Sequence, residues 1–237
     1  MIRKEKLTAI IPVRKGSKGI HNKNLYQLGK YSLLERTIIQ AKSCKYIDNI
    51  IVSTDDEAMY AIAKKHNVSM PSLRPKSLAQ DDSSTLSVIE HALRISKITS
   101  GHVILLQVTT PLRLIDDFLK ICEQYENIHK NCTSMISVNQ YNGEHPNKIQ
   151  KINNGYLESY MGVESMVPRQ SLPEVYELNG AFYITSYKEL KKNNSFYSKN
   201  IKPFIMPEER SFNLDTKFDL YLFELLLEKK EIKFEEY

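Results

Sequence analysis

Hydrophobic positions along this chain follow two periods in turn. Short apolar runs bounded by polar or turn residues predict buried strands over residues 7–13, 49–53, 103–106, 135–138 and 181–185. Between them, apolar residues three and four apart mark helical faces. Leu33, Leu34, Thr37, Ile38 and Ala41 form one face, and Met59, Ile62 and Ala63 a second that ends near Asn67. Leu86, Ile89 and Leu93 form a third, with Asp82 as its expected cap, and Phe118, Ile121, Cys122 and Tyr125 a fourth. Residues 202–206 predict an edge strand, because Pro203 has no N–H to donate. Phe218, Tyr221, Leu222, Leu225 and Leu226 predict a closing amphipathic helix, followed over 228–237 by a solvated charged tail. This alternation predicts an α/β protein with three layers and a mostly parallel sheet. The period breaks over 140–178, which is polar and rich in Asn, Gly and Pro. That stretch is either a flexible lid or an excursion of small strands. A chain of 237 residues suits one large domain, 1–237, with 140–178 inserted in it.

Charge changes this picture a little. Lys and Arg number 33 against 28 Asp and Glu, a net +5. The excess suits an acidic ligand. It does not call for nucleic acid, because the charges are spread and no aromatic–basic interleaving marks a strand-binding groove. No apolar run approaches the roughly 20 residues that span a membrane, and the N-terminus lacks the apolar core of a signal peptide. A cytoplasmic protein is expected. Cys44, Cys122 and Cys132 are too few and too irregular for a disulfide framework or a zinc site, and read as reduced thiols. None of the six histidines makes a pair with metal spacing, and His21 reads as a solvated loop residue.

The chemistry concentrates after the first strand. Arg14-Lys15-Gly16-Ser17-Lys18-Gly19-Ile20, then Asn22-Lys23-Asn24, is a short cationic loop with two glycines. Backbone N–H groups from Gly16 to Gly19 can turn toward a phosphate, Arg14 offers it a planar fork and Lys18 a point charge. Asn24 can hydrogen-bond a nucleotide as the chain returns. The loop matches neither the P-loop nor the dinucleotide fingerprint, and its spacing alone is equally that of a cationic surface turn. Gln107 ends a buried strand, where open α/β sheets place their ligands, and its amide both donates and accepts. Arg74, Ser83 and Thr85 can supply donors to a base. Alternatively, Ser83, Ser84 and Thr85 only start a helix and Arg74 pairs with Asp81 or Asp82.

The loop, as Pro12-Val13-Arg14-Lys15-Gly16-Ser17-Lys18-Gly19-Ile20 with Asn22-Lys23-Asn24-Leu25, resembles the opening motif of the acylneuraminate cytidylyltransferases. Four further stretches resemble that family's motifs in order. They are Leu73-Arg74-Pro75-Lys76-Ser77-Leu78-Ala79-Gln80-Asp81 with Ser83-Ser84-Thr85; Leu105-Leu106-Gln107 through Thr109-Thr110-Pro111-Leu112-Arg113; Pro168-Arg169-Gln170 with Asn179-Gly180-Ala181-Phe182; and Leu214-Asp215-Thr216 with Phe218-Asp219-Leu220. Lys15 and Val108 depart from positions that often hold Gly and Pro.

The resemblance implies a three-layer, Rossmann-like nucleotidyltransferase fold whose 140–178 insertion serves dimerisation. It implies transfer of CMP from CTP to the anomeric hydroxyl of an acidic nine-carbon (nonulosonic) sugar, with release of pyrophosphate. CTP, that sugar and a second copy of the chain are the expected partners, with Mg²⁺ or Mn²⁺ as cofactor. Arg14, Gly16, Ser17, Lys18, Asn24, Arg74, Ser83 and Thr85 are then nucleotide residues, and Arg14, Lys18 and Arg169 the catalytic cations. Gln107, Thr109, Arg169 and Asn179 would meet the sugar, although Arg169 also reads as a surface arginine and Asn179-Gly180 as a turn. For the metal, the family pattern has two aspartates two residues apart. This chain has Asn213-Leu214-Asp215, so Asp215 carries the charge and Asn213 replaces its partner. Two other readings stay open: an enzyme for an eight-carbon acid such as 3-deoxy-manno-octulosonate, and a non-catalytic nucleotide-binding paralogue.

Overall fold

The computed structural model describes residues 5–16, 19–128, 130, 132–162, 167–232 and 234–235. Its strands are β1 (Leu7–Pro12), β2 (Gln27–Leu28), β3 (Tyr31–Ser32), β4 (Asn49–Ser53), β5 (His102–Leu105), β6 (Ser134–Gln140), β7 (Gln150–Asn153), β8 (Tyr156–Ser159), β9 (Tyr176–Ser186) and β10 (Ile201–Ile205). Its helices are α1 (Leu33–Ser43), α2 (Glu57–Lys65), α3 (Thr85–Ile95), α4 (Ile115–Ile128), α5 (Tyr187–Asn193) and α6 (Lys217–Glu228).

Six strands form the main sheet, in the order β10-β6-β9-β5-β1-β4. β1 pairs in parallel with β4 and β5, and β10 in parallel with β6, while β9 runs antiparallel between β5 and β6. The sheet is therefore mostly parallel. Alternate residues of β1 enter opposite cores, as the two-residue period of a strand requires. Ala9 and Ile11 pack with Leu34 and Ile38 of α1 and Phe118, Ile121 and Cys122 of α4. Ile10 points the other way, toward Ile89, Ala92 and Leu93 of α3 and Leu190 of α5. These are the three layers that the alternation predicts. β10 lies at one edge, where the missing N–H of Pro203 does least harm. The three cysteines are buried and free.

The 140–178 stretch contains small strands. β7 and β8 form a hairpin around Asn154 and Gly155, both at positive φ (50° and 84°), the turn that favours Asn-Gly. Ile152, Tyr156 and Leu157 on it are about three-quarters exposed.

Three local expectations need correction. Ser84, not Asp82, caps α3: its Oγ accepts from Ser87 N at 3.1 Å, because the helix starts at Thr85 and a cap must sit one residue before. α6 buries a different face, with Phe223 fully buried and Leu220, Leu226 and Leu227 packed beside it, while Phe218 and Tyr221 stay exposed. The tail is not only solvated surface. Phe234 lies over the Arg36 guanidinium at 4.8 Å, and the Glu235 carboxylate accepts from Ile115 N at 3.1 and 3.2 Å, satisfying an orphan donor at the start of α4.

Candidate active site

The chain leaves β1 for β4 on one side and later reaches β5 on the other, so the crevice above the carboxyl ends of β1 and β5 is the switch point of the sheet. A cavity of about 610 Å³ opens there. The loop after β1 supplies Arg14, Gly19, Lys23 and Asn24 to its walls. The segment before α3 adds Arg74, Asp81, Ser83 and Thr85, the end of β5 adds Gln107 and Thr109, and the loop before α6 adds Asn213 and Asp215. Four separated sequence stretches contribute these twelve residues to one space. A wider groove at the opposite end of the sheet holds none of the candidate residues.

The loop after β1 is held from below. Asn24 is buried, and its Nδ2 donates to the Arg14 carbonyl at 2.9 Å. Asp55 accepts from Lys15 N at 3.1 Å and lies 3.5 Å from Arg74 Nη2. Arg74 itself is buried and donates to the Val13 carbonyl at 2.8 Å. Its sequence-predicted partners, Asp81 or Asp82, are thus replaced by Asp55, because the side chain turns under the β1 loop rather than out along its own. Burial lowers the Arg74 pKa from its ordinary value, with Asp55 acting against the shift. Asp81 instead meets Arg14, at 2.7 Å from Nη1. Both partners are partly solvated, so the pair is weak and exchangeable.

Close contacts tie the loops after β1 and β5 to the loop before α6. A Cβ on Gly19 would lie 1.9 Å from the Asp215 carbonyl oxygen, so only glycine lets them touch. Leu214 N also donates to the Thr109 carbonyl at 2.8 Å. Asp215 accepts from Lys23 Nζ at 2.9 Å and from the Asn213 amide. Thr216 caps α6, not Asp215: Asp219 N donates to Thr216 Oγ1 at 3.2 Å, and the Asp219 carboxylate accepts from Thr216 N and Asp215 N. Burial pushes the Asp219 pKa up, but those N–H donors, with Lys23, hold it below its ordinary value. Among the described residues no three His, Cys, Asp or Glu side chains gather as a metal site. A single carboxylate with both oxygens already engaged does not fit a divalent ion held by the protein alone.

The sequence candidates divide as follows. Arg14, Asn24, Arg74, Ser83, Thr85, Gln107, Thr109, Asn213 and Asp215 share the cavity. Gly16 is exposed, and a Cβ added there would meet nothing within 4 Å. Asn179 is buried behind the wall. It lies in a bulge of β9 where Ser137 Oγ donates to its Oδ1 at 2.6 Å, and its Nδ2 donates to Ser211 Oγ at 2.9 Å. Gly180, at φ 74°, continues the bulge past the Gln107 amide, which a Cβ would meet at 2.6 Å. Asn179-Gly180 is thus a bulge within a strand rather than a turn before one. Ser17 and Lys18 lie outside the described residues. Arg169 begins a short 3₁₀ turn, and its side chain also lies outside the description.

Sequence reasoning missed three contributors. Lys23 and Asp81 stand inside stretches already singled out, but only the fold shows them facing the cavity. The third is an apolar annex of about 230 Å³ lined by Leu86, Ile89, Tyr183, Phe196 and Tyr197, which shares Thr85 and Gln107 with the main cavity. Nothing in the sequence around 194–197 marks it, since those residues join α5 to the edge strand.

Comparison with known proteins gives a consistent picture. Residues 8–233 match the family model described as cytidylyltransferase. The N-acylneuraminate cytidylyltransferase of Escherichia coli O18:K1:H7 is 32% identical over 227 residues, covering 95% of this chain and 53% of that protein. The CMP-N,N'-diacetyllegionaminic acid synthase of Legionella pneumophila is 31% identical over 229 residues, covering 94% of this chain and 97% of the relative. Among solved structures, a CMP:2-keto-3-deoxy-manno-octonic acid synthetase complexed with CTP superposes with a TM-score of 0.70 over 95% of this chain and 99% of that one. At 15% identity, that likeness concerns the fold.

Proposed function

The chain belongs to the cytidylyltransferase family, and from that premise we propose that it transfers CMP from CTP to the anomeric hydroxyl of a nonulosonic acid, releasing pyrophosphate. One observation carries the reading. Thr85 and Gln107 stand where a cation-lined cavity meets an apolar annex, so one space offers room for a polyanion and the other for an apolar substituent such as an acyl group.

The reaction asks little covalent chemistry of the protein. It must hold two anions together and stabilise charge as it moves to the leaving pyrophosphate. Arg14 and Lys23 face the cavity and supply cations for the triphosphate. Arg14 exchanges Asp81 for phosphate, and Lys18 is assigned the charge that develops in the transition state. Ser83, Thr85 and Arg74 line the side assigned to cytosine. Gln107, with Thr109, is assigned the sugar's polar edge, and Arg169 its carboxylate. Mg²⁺, when bound, would supply charge neutralisation at the phosphates.

The exposed Ile152, Tyr156 and Leu157 on the hairpin support a homodimer in which 140–178 provides the contact. Among the described residues no helix is long and apolar enough to cross a membrane. A cytoplasmic setting is part of the proposal.

The test is pyrophosphate release from CTP with a panel of nonulosonic acids, with 3-deoxy-manno-octulosonate as the eight-carbon arm. Release with nine-carbon acids and CTP, and little with UTP, is the expected result. Release with the eight-carbon acid alone, or equal rates with UTP, would overturn it.

A further inference from the structure

Two carboxylates line the cavity: Asp81 is paired with Arg14 at 2.7 Å, and Asp215 has both its oxygens already accepting hydrogen bonds. Lys23 Nζ donates to Oδ1 at 2.9 Å, and the Lys23 side chain is only 12% exposed. The Asn213 amide donates to Oδ2. That amide has one workable orientation, because turning it over would set its carbonyl oxygen against a carboxylate oxygen. Asp219, the next carboxylate along, is turned away to accept from Asp215 N at 3.0 Å and Thr216 N at 2.7 Å. Lys23, Asn213 and Asp215 by themselves sum to zero formal charge, with the Asp219 carboxylate beside them engaged by backbone N–H groups. Hard divalent ions are held by charge-dense oxygens, in nucleotide sites by one or two carboxylates together with phosphates. An ammonium already seated on the Asp215 carboxylate competes with such an ion for it and cancels its charge.

We propose that this protein does not take up a divalent ion by itself: the ion enters with the nucleoside triphosphate, and the Asn213–Lys23 pair around Asp215 sets that order. The proposal rests on the nucleotidyltransferase reading above for the identity of the triphosphate, but not for its readout. Aspartate at 213 would give the cluster a net charge of −1. Removing the Lys23 ammonium would do the same by a different route.

The experiment measures Mn²⁺ binding directly, by loss of the free-ion electron paramagnetic resonance signal, and needs no turnover. Parent, Asn213→Asp and Lys23→Ala proteins are titrated without nucleotide, with circular dichroism to verify folding. Both variants are expected to bind Mn²⁺ at least about 10-fold more tightly than the parent, the direction set by one unit of added negative charge a few ångströms away. With CTP present, the parent is expected to form a ternary complex, read as water-proton relaxation above that of Mn²⁺–CTP alone. Mn²⁺ binding to the nucleotide-free parent as tight as to Asn213→Asp would overturn the proposal. So would two folded variants that gain no affinity, or a parent that shows no ternary complex. A protein that fails to release pyrophosphate with any sugar can still pass or fail this test, so the two readings fall separately.

Discussion

Replacing Gly19 by alanine tests whether contact between the loop after β1 and the loop before α6 is what builds the site. The added Cβ would sit 1.9 Å from the Asp215 carbonyl oxygen and 3.3 Å from Thr216 Cα, all of it backbone. The penalty is the steric one of that contact. A backbone oxygen cannot rotate aside as a side chain can, and the loops must part by about 1 Å to relieve it. Overpacking of this kind costs about 1–3 kcal/mol, and in a domain of this size each kcal/mol lowers Tm by about 2–4 °C. Catalysis should suffer more than stability. A misplacement of about 1 Å in a site that works by positioning costs about 100-fold in rate. Pyrophosphate release and thermal unfolding of the variant give both numbers, with Gly16→Ala as the stability control, since nothing lies within 4 Å of a Cβ there. A Gly19→Ala protein that keeps its rate within about twofold would show that the loops move independently, and would refute this account of the site.

Further outcomes follow from other parts of the fold. Charges at Ile152 and Leu157 on the exposed hairpin should convert a homodimer to monomers by light scattering while leaving the helical circular dichroism intact; a parent already monomeric at micromolar concentration removes the dimer. Arg113 is fully buried, donates to the Ala181 carbonyl at 2.8 Å and to Thr37 Oγ1 at 3.2 Å, and stacks 5.5 Å from Phe118 and Phe182. Arg113→Ala should therefore cost about 2–5 kcal/mol in a urea titration, through a cavity and an orphaned carbonyl. Glu35 is buried, which pushes its pKa up, but donors from Ser32, Lys65 and His66 outweigh this and hold it below its ordinary value. Its contribution is thus full above the unfolded value, about 4.3, and is lost as pH falls through the lower folded pKa; Glu35→Gln should flatten that acid limb of the urea midpoint, and an unchanged limb would refute it.

Much of this protein was legible in its sequence because local physics decides it. The alternation of apolar runs and 3.6-period stripes specified the α/β layers, and Pro203 marked the edge strand, because each signal depends on residues a few positions apart. The candidates Arg14, Asn24, Gln107 and Asp215 were visible as residue types suited to phosphate, base, sugar and cation. What the sequence did not contain is who faces whom. Arg74 turned out to pair with Asp55, not with its sequence neighbours, and Arg14 took Asp81, because the fold brings the loop after β1 against both the loop after β4 and the segment before α3. The buried face of α6 is the one that meets the core, although its apolar residues nearly surround the helix. The charged tail reads as solvated until Phe234 finds Arg36, which lies some 200 positions earlier in the chain. Likewise the Lys23–Asp215 contact spans 192 positions. Side-chain chemistry and local period are properties of a sequence, whereas pairing across such separations exists only once the sheet has closed the distance.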